Sequence, residues 1–168
     1  NQTNAKDGVN PNDPNAEFQL EENKIEKIKI GLFGFGRIGR NIFRIGYEDP
    51  RFEFVAISDL GNVEAMHYLL MRDSIHGAMK SDIKLEGKDL LYNGLSTRLL
   101  PGAAPGSIPW DAFDVDIVID STGAYRKREE LQMHIDSGAK RVLVSKPPVN
   151  EIDRIVIQGI NEDQIDNN

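Results

Sequence analysis

The chain has 168 residues, and 27 acidic residues against 20 basic ones give it a net charge of −7. This length fits one domain with a well-buried core, and the acidic balance argues against a nucleic-acid partner, because phosphate-contacting surfaces are usually basic. The chain has no cysteine for a disulfide, a thiolate zinc site or a thiol nucleophile, and no apolar run of the roughly 18–20 residues that span a membrane, so we expect a soluble, cytoplasmic domain.

Residues 1–26 differ in composition from the rest of the chain. They hold six acidic and two basic residues and are rich in Asn, Asp and Pro, while their apolar residues show no period. Such a segment cannot bury enough apolar surface to offset the entropy lost on ordering. We therefore predict a disordered tail over 1–26 and a folded domain over 27–168. The first residue is Asn rather than Met, so we expect the chain to be a piece of a longer one.

The domain opens with the pattern of a βαβ unit. Residues 27–33 alternate into an apolar run, which is typical of a strand that enters a covered sheet. A glycine-rich turn follows, and isoleucines then recur at the spacing of one helical face: Ile38, Ile42 and Ile45. We predict a helix that presents this apolar face, followed by a second strand over 52–57.

The middle of the chain changes from helix to short strands. The segment 63–71 is predicted to be a helix with three residues facing inward: Met66, Leu69 and Leu70. Residues 78–100 carry short alternating segments separated by turn sequences at Glu86-Gly87-Lys88 and Asn93-Gly94, which together predict a β-meander.

The last third predicts strands separated by one helix. Short apolar strands are expected over 117–119, 142–144 and 155–157, and a helix over 127–137. Continuous apolar runs, rather than alternating ones, are typical of parallel strands covered on both faces. The fold class predicted for the chain is therefore α/β, with a Rossmann-type doubly wound, mostly parallel sheet, a short β-meander insertion and a disordered N-terminal tail.

The turn after the first strand has the glycine spacing of dinucleotide-binding turns. Gly34 allows the tight turn, Gly36 lets the backbone approach a pyrophosphate, and Gly39 lets helix and strand pack closely. The helix that starts here directs unpaired amides and the positive end of its dipole at the phosphates. The backbone N–H groups near Arg37 and Ile38 are the expected donors.

A carboxylate completes the dinucleotide pattern. Asp59 lies twenty residues past Gly39, at the end of the second strand, where an acidic residue accepts hydrogen bonds from ribose hydroxyls. It would repel a 2′-phosphate, so the cofactor predicted is NAD rather than NADP. The alternative is a structural glycine turn with an incidental Asp. The side chains of Arg37 and Arg40 have two open interpretations, neutralising phosphate or standing in solvent.

A longer set of motifs carries a more specific signal. In chain order they are Gly34-Phe35-Gly36-Arg37-Ile38-Gly39-Arg40, Ile57-Ser58-Asp59-Leu60, Arg72-Asp73-Ser74-Ile75-His76-Gly77, Ile108-Pro109-Trp110, Ser121-Thr122-Gly123, Lys127-Arg128-Glu129, Gly138-Ala139-Lys140-Arg141-Val142 and Gly159-Ile160-Asn161. With them the chain resembles, over about residues 28 to 164, the NAD-binding domain of glyceraldehyde-3-phosphate dehydrogenase, an oxidoreductase of glycolysis. Erythrose-4-phosphate dehydrogenases share this pattern. A free-standing, non-catalytic NAD-binding module is the third alternative.

The resemblance implies cofactor contacts at the matching positions. The backbone of the glycine turn would hold the pyrophosphate, and Asp59 the adenosine ribose. Thr122 and Gly123 would line the cofactor near its pyrophosphate and nicotinamide, and Ser145 would lie near the nicotinamide ribose. The predicted cofactor-binding residues are Gly34, Gly36, Arg37, Ile38, Gly39, Asp59, Thr122, Gly123 and Ser145.

Three positions depart from the family pattern. Phe33 stands where the family commonly has Asn before the first glycine, and Ala103 where a basic residue often borders the adenine. Lys146 replaces a small residue after Ser145. It either meets a phosphate or stands in solvent, as a compact ammonium readily does.

The chemistry that the resemblance implies needs a thiolate that this chain lacks. In the family a Cys attacks the aldehyde, hydride passes to the nicotinamide, phosphate cleaves the thioester, and a nearby His serves as base. That Cys follows the Gly-Ile-Asn element beyond Asn168. We therefore predict no catalytic residue here and no aldehyde oxidation by the chain alone. Glyceraldehyde-3-phosphate would bind only with the missing catalytic domain, in a full-length protein expected to be a homotetramer.

No other residues offer a substitute for this chemistry. The three histidines, His67, His76 and His134, lack metal-ligand spacing, so no metal site is predicted. Asp73, Ser74 and His76 contain the residue types of a catalytic triad, but residues so close in sequence rarely converge on one site. We interpret that segment as structural.

Overall fold

A computed structural model describes residues 26–102 and 104–165 of the chain. The predicted tail lies outside these residues except for Glu26, and so does Ala103. The expected boundary between tail and domain therefore stays a prediction.

The described residues form nine strands and three α-helices. These are β1 Ile28–Phe33, α1 Arg37–Gly46, β2 Phe52–Asp59, α2 Val63–Met71, β3 Arg72–Asp73, β4 Gly77–Ala78, β5 Lys84–Glu86, β6 Asp89–Tyr92, β7 Leu95–Pro101, β8 Ile117–Asp120, α3 Arg128–Asp136 and β9 Arg141–Val144, with short 3₁₀ turns at Trp110–Phe113 and Glu162–Gln164. Among these residues none of the helices has the length and apolar character of a membrane span.

Seven strands form one sheet in the order β5-β6-β7-β2-β1-β8-β9. The five strands from β7 to β9 are parallel, whereas β5, β6 and β7 pair antiparallel. The predicted mostly parallel sheet with a β-meander is therefore confirmed. The chain builds outward from β1 to β2 and β7 and then returns to place β8 on the other side of β1. The order of strands thus reverses between β1 and β8, where folds of this class form a crevice.

The meander turns are confirmed by their backbone conformation. Gly87 has φ +61°, and Asn93 and Gly94 have φ +48° and +76°. Two consecutive residues with positive φ make the tight hairpin turn that an Asn-Gly sequence favours.

Helices cover both faces of the sheet, as a doubly wound fold requires. On one face Ile30 and Leu32 of β1 belong to a core that includes residues of α1 and α2. On the other face Phe33 and Trp110 form a second core. A Cβ at Gly31 would lie 2.7 Å from Cζ3 of Trp110, so glycine makes room for the indole at the centre of the sheet.

The apolar face expected for α1 is confirmed only at Ile42, which is partly buried against the core. Ile45 is 82% exposed and Ile38 50% exposed. The helix is instead buried through Gly39, Phe43 and Gly46. Phe43 fills the space against the sheet, where its ring lies 5.0 Å from that of Phe54, and the flanking glycines let the helix backbone come close. Close approach of the backbone, rather than the number of aliphatic side chains, decides which face is inward.

The interior face of α2 is confirmed in two of its three residues. Met66 and Leu70, one helical turn apart, are buried, whereas Leu69 is 44% exposed. A nine-residue helix at the edge of the core buries only the stripe defined by residues i and i+4.

The prediction of a last strand over 155–157 is also wrong, because this segment has no regular structure. The Asn161 side chain takes the backbone groups that a strand would use. Its Oδ1 accepts a hydrogen bond from the Ile157 N–H at 2.7 Å, and its Nδ2 donates to the Ile155 carbonyl at 2.9 Å. Short β-branched runs become strands only where a neighbouring strand satisfies their backbone.

The burial of α1 predicts the effects of two substitutions. Phe43→Ala should lower the free energy of unfolding by about 3–5 kcal/mol, because it leaves a cavity among packed rings. Ile45→Ala, the control on the exposed face, should change it by less than about 0.5 kcal/mol. Urea unfolding of both variants measures these changes. A larger loss for Ile45→Ala would contradict the inward face assigned to α1.

Candidate functional site

A cleft of about 280 Å³ opens at the carboxyl edge of the sheet, where the strand order reverses. Four parallel strands supply its walls, so the cleft lies where ligands bind in open α/β sheets. The lining residues are Phe33, Gly34 and Gly36 after β1; Ser58, Asp59 and Leu60 at the end of β2; Gly102 after β7; and Ser121, Thr122, Ala124 and Tyr125 after β8.

The three glycines of the turn meet three different constraints. Gly34 has φ +92°, and a Cβ there would lie 2.8 Å from the Thr122 backbone N. A Cβ at Gly39 would collide with the Gly34 carbonyl oxygen. At Gly36, by contrast, a Cβ would meet nothing within 4 Å. The first and third glycines are therefore needed for packing, while the second keeps an open surface toward the cleft.

Hydrogen bonds to β2, to the loop after β8 and to α1 hold this turn in place. The Ser121 hydroxyl donates to the Gly34 carbonyl at 2.6 Å, and the Gly34 N–H donates to the Ser58 carbonyl at 2.8 Å. The Arg40 guanidinium donates to the Phe35 carbonyl at 2.9 Å. The Arg40 side chain thus does not stand free in solvent, because it bonds to the turn itself, while its phosphate-neutralising role stays a prediction.

Helix α1 begins at this turn with no side chain capping it and no acidic residue in its first turn. Its first backbone hydrogen bond runs from the Arg40 N–H to the Gly36 carbonyl at 3.0 Å. Helix geometry leaves the preceding N–H groups without an intrahelical partner, and these include the N–H groups of the exposed residues Arg37 and Ile38. Such an end attracts an anion through its amides and its dipole.

Asp59 connects the two loops on the β2 side of the cleft. Its Oδ2 accepts a hydrogen bond from the Phe35 N–H at 2.5 Å, and its Oδ1 accepts one from the Gly61 N–H at 2.9 Å. A carboxylate has about four lone-pair positions, so these two bonds leave acceptor capacity for a ligand. The Asp59 carboxylate therefore links the two loops and also lines the cleft.

Ser58 contributes a buried hydroxyl beside this carboxylate. Its side chain is fully buried, and its Oγ has no hydrogen-bond partner within the described ranges. An unpaired buried hydroxyl is costly and calls for a ligand or a water. A dinucleotide fits these features, since it brings an anion for the amides and hydroxyls for the carboxylate.

Five of the nine predicted cofactor-binding residues lie outside the cleft lining: Arg37, Ile38 and Gly39 in the first turn of α1, Gly123 after β8 and Ser145 after β9. Ser145 follows β9, is exposed, and donates its N–H to the Asp120 carbonyl at 3.0 Å. Gly123 lies at the rim, where a Cβ would come within 3.3 Å of Cδ of Lys146. The Lys146 side chain therefore lies across the loop after β8.

Phe33, the departure before the first glycine, forms part of the cleft floor. It is 3% exposed, and its ring lies 5.9 Å from that of Tyr125 and packs edge-on at 4.7 Å against His134. The floor at this position is therefore apolar.

Sequence reasoning missed several cleft residues. Gly102 lines the cleft because β7 pairs in parallel with β2, and no local pattern indicates that pairing. Tyr125 was missed because it lies beyond the turn after β8, outside the motifs. Ser58 and Leu60 had a signal, because they flank Asp59.

His67 and the Asp73–His76 pair make local contacts away from the cleft lining. Oδ1 of Asp73 accepts hydrogen bonds from the N–H groups of His76 and Ile75, both at 2.8 Å. These bonds, foremost that of His76, lower the pKa of Asp73 to about 2. His67 bonds to the Ile83 carbonyl at 2.7 Å. Over residues 26–102 and 104–165 there is no group of three side chains suited to a metal ion.

Comparisons with known proteins agree with this architecture. The family model described as "Glyceraldehyde 3-phosphate dehydrogenase, NAD binding domain" matches residues 28–128. The chain is 39% identical over 139 residues to a glyceraldehyde-3-phosphate dehydrogenase of Geobacillus stearothermophilus and 38% identical to those of Bacillus subtilis and Priestia megaterium. Each match covers 83% of this chain and 41% of the relative, so the chain spans about two fifths of the length of these proteins.

The packing of the turn predicts that alanine destabilises the chain at one of its glycines and has little effect at another. Gly39→Ala should cost about 1–3 kcal/mol of unfolding free energy, because the methyl group overlaps backbone. Gly36→Ala should stay within about 0.5 kcal/mol of the original chain, because its Cβ meets nothing. Chemical denaturation compares the two. Equal stabilities would show that α1 does not approach the turn as closely as described.

Proposed function

The chain belongs to the family of NAD-binding domains of glyceraldehyde 3-phosphate dehydrogenase, and from this premise we propose that its cleft binds NAD for a longer, phosphorylating glyceraldehyde-3-phosphate dehydrogenase. One observation carries the proposal. The open surface at Gly36 and the uncapped start of α1 lie beside the Asp59 carboxylate, at the point where the strand order reverses. This arrangement supplies separate partners for an anion and for sugar hydroxyls.

Each part of the cofactor has a partner among the chain's own residues. The backbone N–H groups of Arg37 and Ile38, together with Gly34, Gly36 and Gly39, would hold the pyrophosphate. Asp59 would accept hydrogen bonds from the adenosine ribose. The exposed side chain of Leu60 at the cleft rim would offer apolar contact to the adenine.

The nicotinamide end is assigned to the loop after β8. Thr122 lines the cleft directly, and we place Gly123 and Ser145 further along the same edge, beside the nicotinamide and its ribose. Bound NAD supplies the hydride acceptor for aldehyde oxidation. This chain contains no cysteine, so it offers no thiolate to attack an aldehyde, and by itself it should bind cofactor without turning over substrate.

The properties of the longer protein are part of the same proposal. The relatives named above are all called glyceraldehyde-3-phosphate dehydrogenases, which favours that enzyme over the erythrose-4-phosphate enzyme and over a free-standing module. We assign the longer protein to the cytoplasm as a homotetramer that oxidises its aldehyde in glycolysis.

Titration with NAD and NADP while thermal unfolding is followed tests the proposal. NAD at about 100 times its dissociation constant should stabilise the chain by roughly 2.7 kcal/mol, and NADP at the same concentration should stabilise it less.

Gly36→Val should keep the unfolding temperature of the free chain but lose the shift with NAD, because its side chain occupies the phosphate surface. Ile45→Ala, far from the cleft lining, is the control and should keep the shift. An undiminished shift in Gly36→Val would refute the phosphate surface.

A separate prediction concerns the carboxylate. Hydrogen bonds to charged groups are worth about 1.5–3 kcal/mol, so Asp59→Ala should weaken NAD binding by at least about tenfold and narrow its advantage over NADP. Asp59→Asn is the matched variant. It removes the negative charge that would repel a 2′-phosphate but leaves one of the two loop amides without its acceptor, so NAD affinity should fall while the preference for NAD over NADP narrows. Calorimetry measures both affinities, and the assignment is wrong if neither variant changes either of them.

A further inference from the structure

Two fully buried ionisable side chains lie behind the cleft and take no part in the binding just described. Asp120 is the last residue of β8, and His134 lies on α3; both are 0% exposed. Ionisable groups are seldom buried this completely unless they are paired or hydrogen-bonded. Their contacts therefore need an explanation.

One oxygen of Asp120 holds the cleft wall. Its Oδ1 accepts hydrogen bonds from the Thr122 N–H at 2.9 Å and from the Thr122 hydroxyl at 2.7 Å. The same hydroxyl accepts a bond from the Ala124 N–H at 3.2 Å. The donors of Thr122 are thus all directed at the carboxylate, and the residue keeps its place in the cleft lining through Asp120.

His134 is held in one tautomer on the other side of this carboxylate. The Trp110 indole N–H donates to Nδ1 of His134 at 3.1 Å. An indole can only donate, so Nδ1 carries no proton and the ring proton is on Nε2. That nitrogen lies 3.7 Å from Oδ2 of Asp120. Neither of these two atoms has a hydrogen-bond partner in the described part of the chain.

The surroundings favour this arrangement over contact with water. The Phe33 ring packs edge-on against His134 with centroids 4.7 Å apart, and the indole lies 6.0 Å away. In such apolar surroundings a polar group gains more from a correctly oriented partner than it would in water. The N–H of His134 is therefore the polar group that lies beside the free oxygen of Asp120, in electrostatic contact rather than in a hydrogen bond.

We propose that Trp110, His134 and Asp120 form a positioning network that fixes Thr122 as a wall of the cofactor cleft and so sets the affinity for NAD. The inference rests on the proposed function, since it concerns the same cleft. The indole fixes the tautomer of His134, the imidazole orients the Asp120 carboxylate, and the carboxylate holds both donors of Thr122. None of the three positioning side chains touches the cleft itself.

The network makes a specific prediction about substitutions. Asp120→Asn keeps an acceptor for Thr122 but turns an amide NH₂ toward the N–H of His134, so two buried donors face each other. The imidazole can relieve this conflict only by moving its proton to Nδ1, which the indole N–H opposes. Trp110→Phe removes that N–H while keeping an aromatic ring. The double variant should therefore recover what Asp120→Asn loses.

Measurements without cofactor test the network itself. In the unmodified chain, ¹⁵N NMR of His134 should show an unprotonated Nδ1 and a protonated Nε2. In Asp120→Asn the Thr122 amide should exchange its hydrogen roughly tenfold faster, because its acceptor is no longer held. Adding Trp110→Phe should reverse most of that change. A proton on Nδ1 in the unmodified chain would overturn the proposal without any variant.

Calorimetry with NAD tests the consequence for binding. Asp120→Asn should bind NAD about tenfold more weakly, and Asp120→Asn with Trp110→Phe should return to within about threefold of the unmodified chain. Asp116→Asn is the matched control. Asp116 precedes the opposite end of β8, where it accepts bonds from the Lys29 N–H at 2.8 Å and from Nζ of Lys140 at 2.6 Å. Loss of the Asp116 carboxylate should lower the free energy of unfolding and leave the NAD affinity unchanged.

The outcomes separate this proposal from the function it rests on. Unchanged NAD affinity in Asp120→Asn, or no recovery in the double variant, overturns the role of the network in binding. If the unmodified chain fails to bind NAD while His134 and Thr122 behave as expected, the proposed function fails and the network still holds the Thr122 loop.

Discussion

The constraint on which the site depends is the contact between the start of α1 and the turn that precedes it. A Cβ at Gly39 would overlap the Gly34 carbonyl oxygen, so only glycine lets the helix begin this close to the end of β1. The position of that helix start fixes where its unpaired amides point. The same turn accepts a hydrogen bond from the Ser121 hydroxyl and donates its own N–H groups to the Ser58 carbonyl and the Asp59 carboxylate, at the ends of the two neighbouring strands.

Local patterns in the sequence were sufficient for the βαβ unit, the meander and the glycine turn, because spacing and turn residues encode each of them. They failed where long-range packing decides. The prediction for α1 followed the spacing of three isoleucines, although two glycines let the helix backbone come closer to the sheet. The run over 155–157 has strand-forming residues but no neighbouring strand to pair with. Asp59 was predicted as a cleft residue, yet its tie to the Phe35 amide depends on a turn folded against it.

The proposed phosphate site offers backbone dipoles rather than mobile cations. The Arg40 guanidinium is bonded to the turn, and the Arg37 side chain is exposed. Backbone amides in a fixed turn lose no side-chain rotamer freedom when a ligand binds, whereas a long basic side chain does. The arrangement therefore favours a ligand whose charge lies at one defined point, as a pyrophosphate does.

The neighbouring positions of β1 and β8 also bear on the order in which the molecule assembles. The Ser121 side chain reaches a carbonyl 87 residues away in sequence, whereas the hairpins of the meander pair residues that are only a few positions apart. Hairpins form within microseconds, while contacts across long loops must first overcome the entropy of closing them. We therefore expect the crevice between β1 and β8 to form late in folding, and a nascent chain cannot complete it before β8 has been synthesised and inserted.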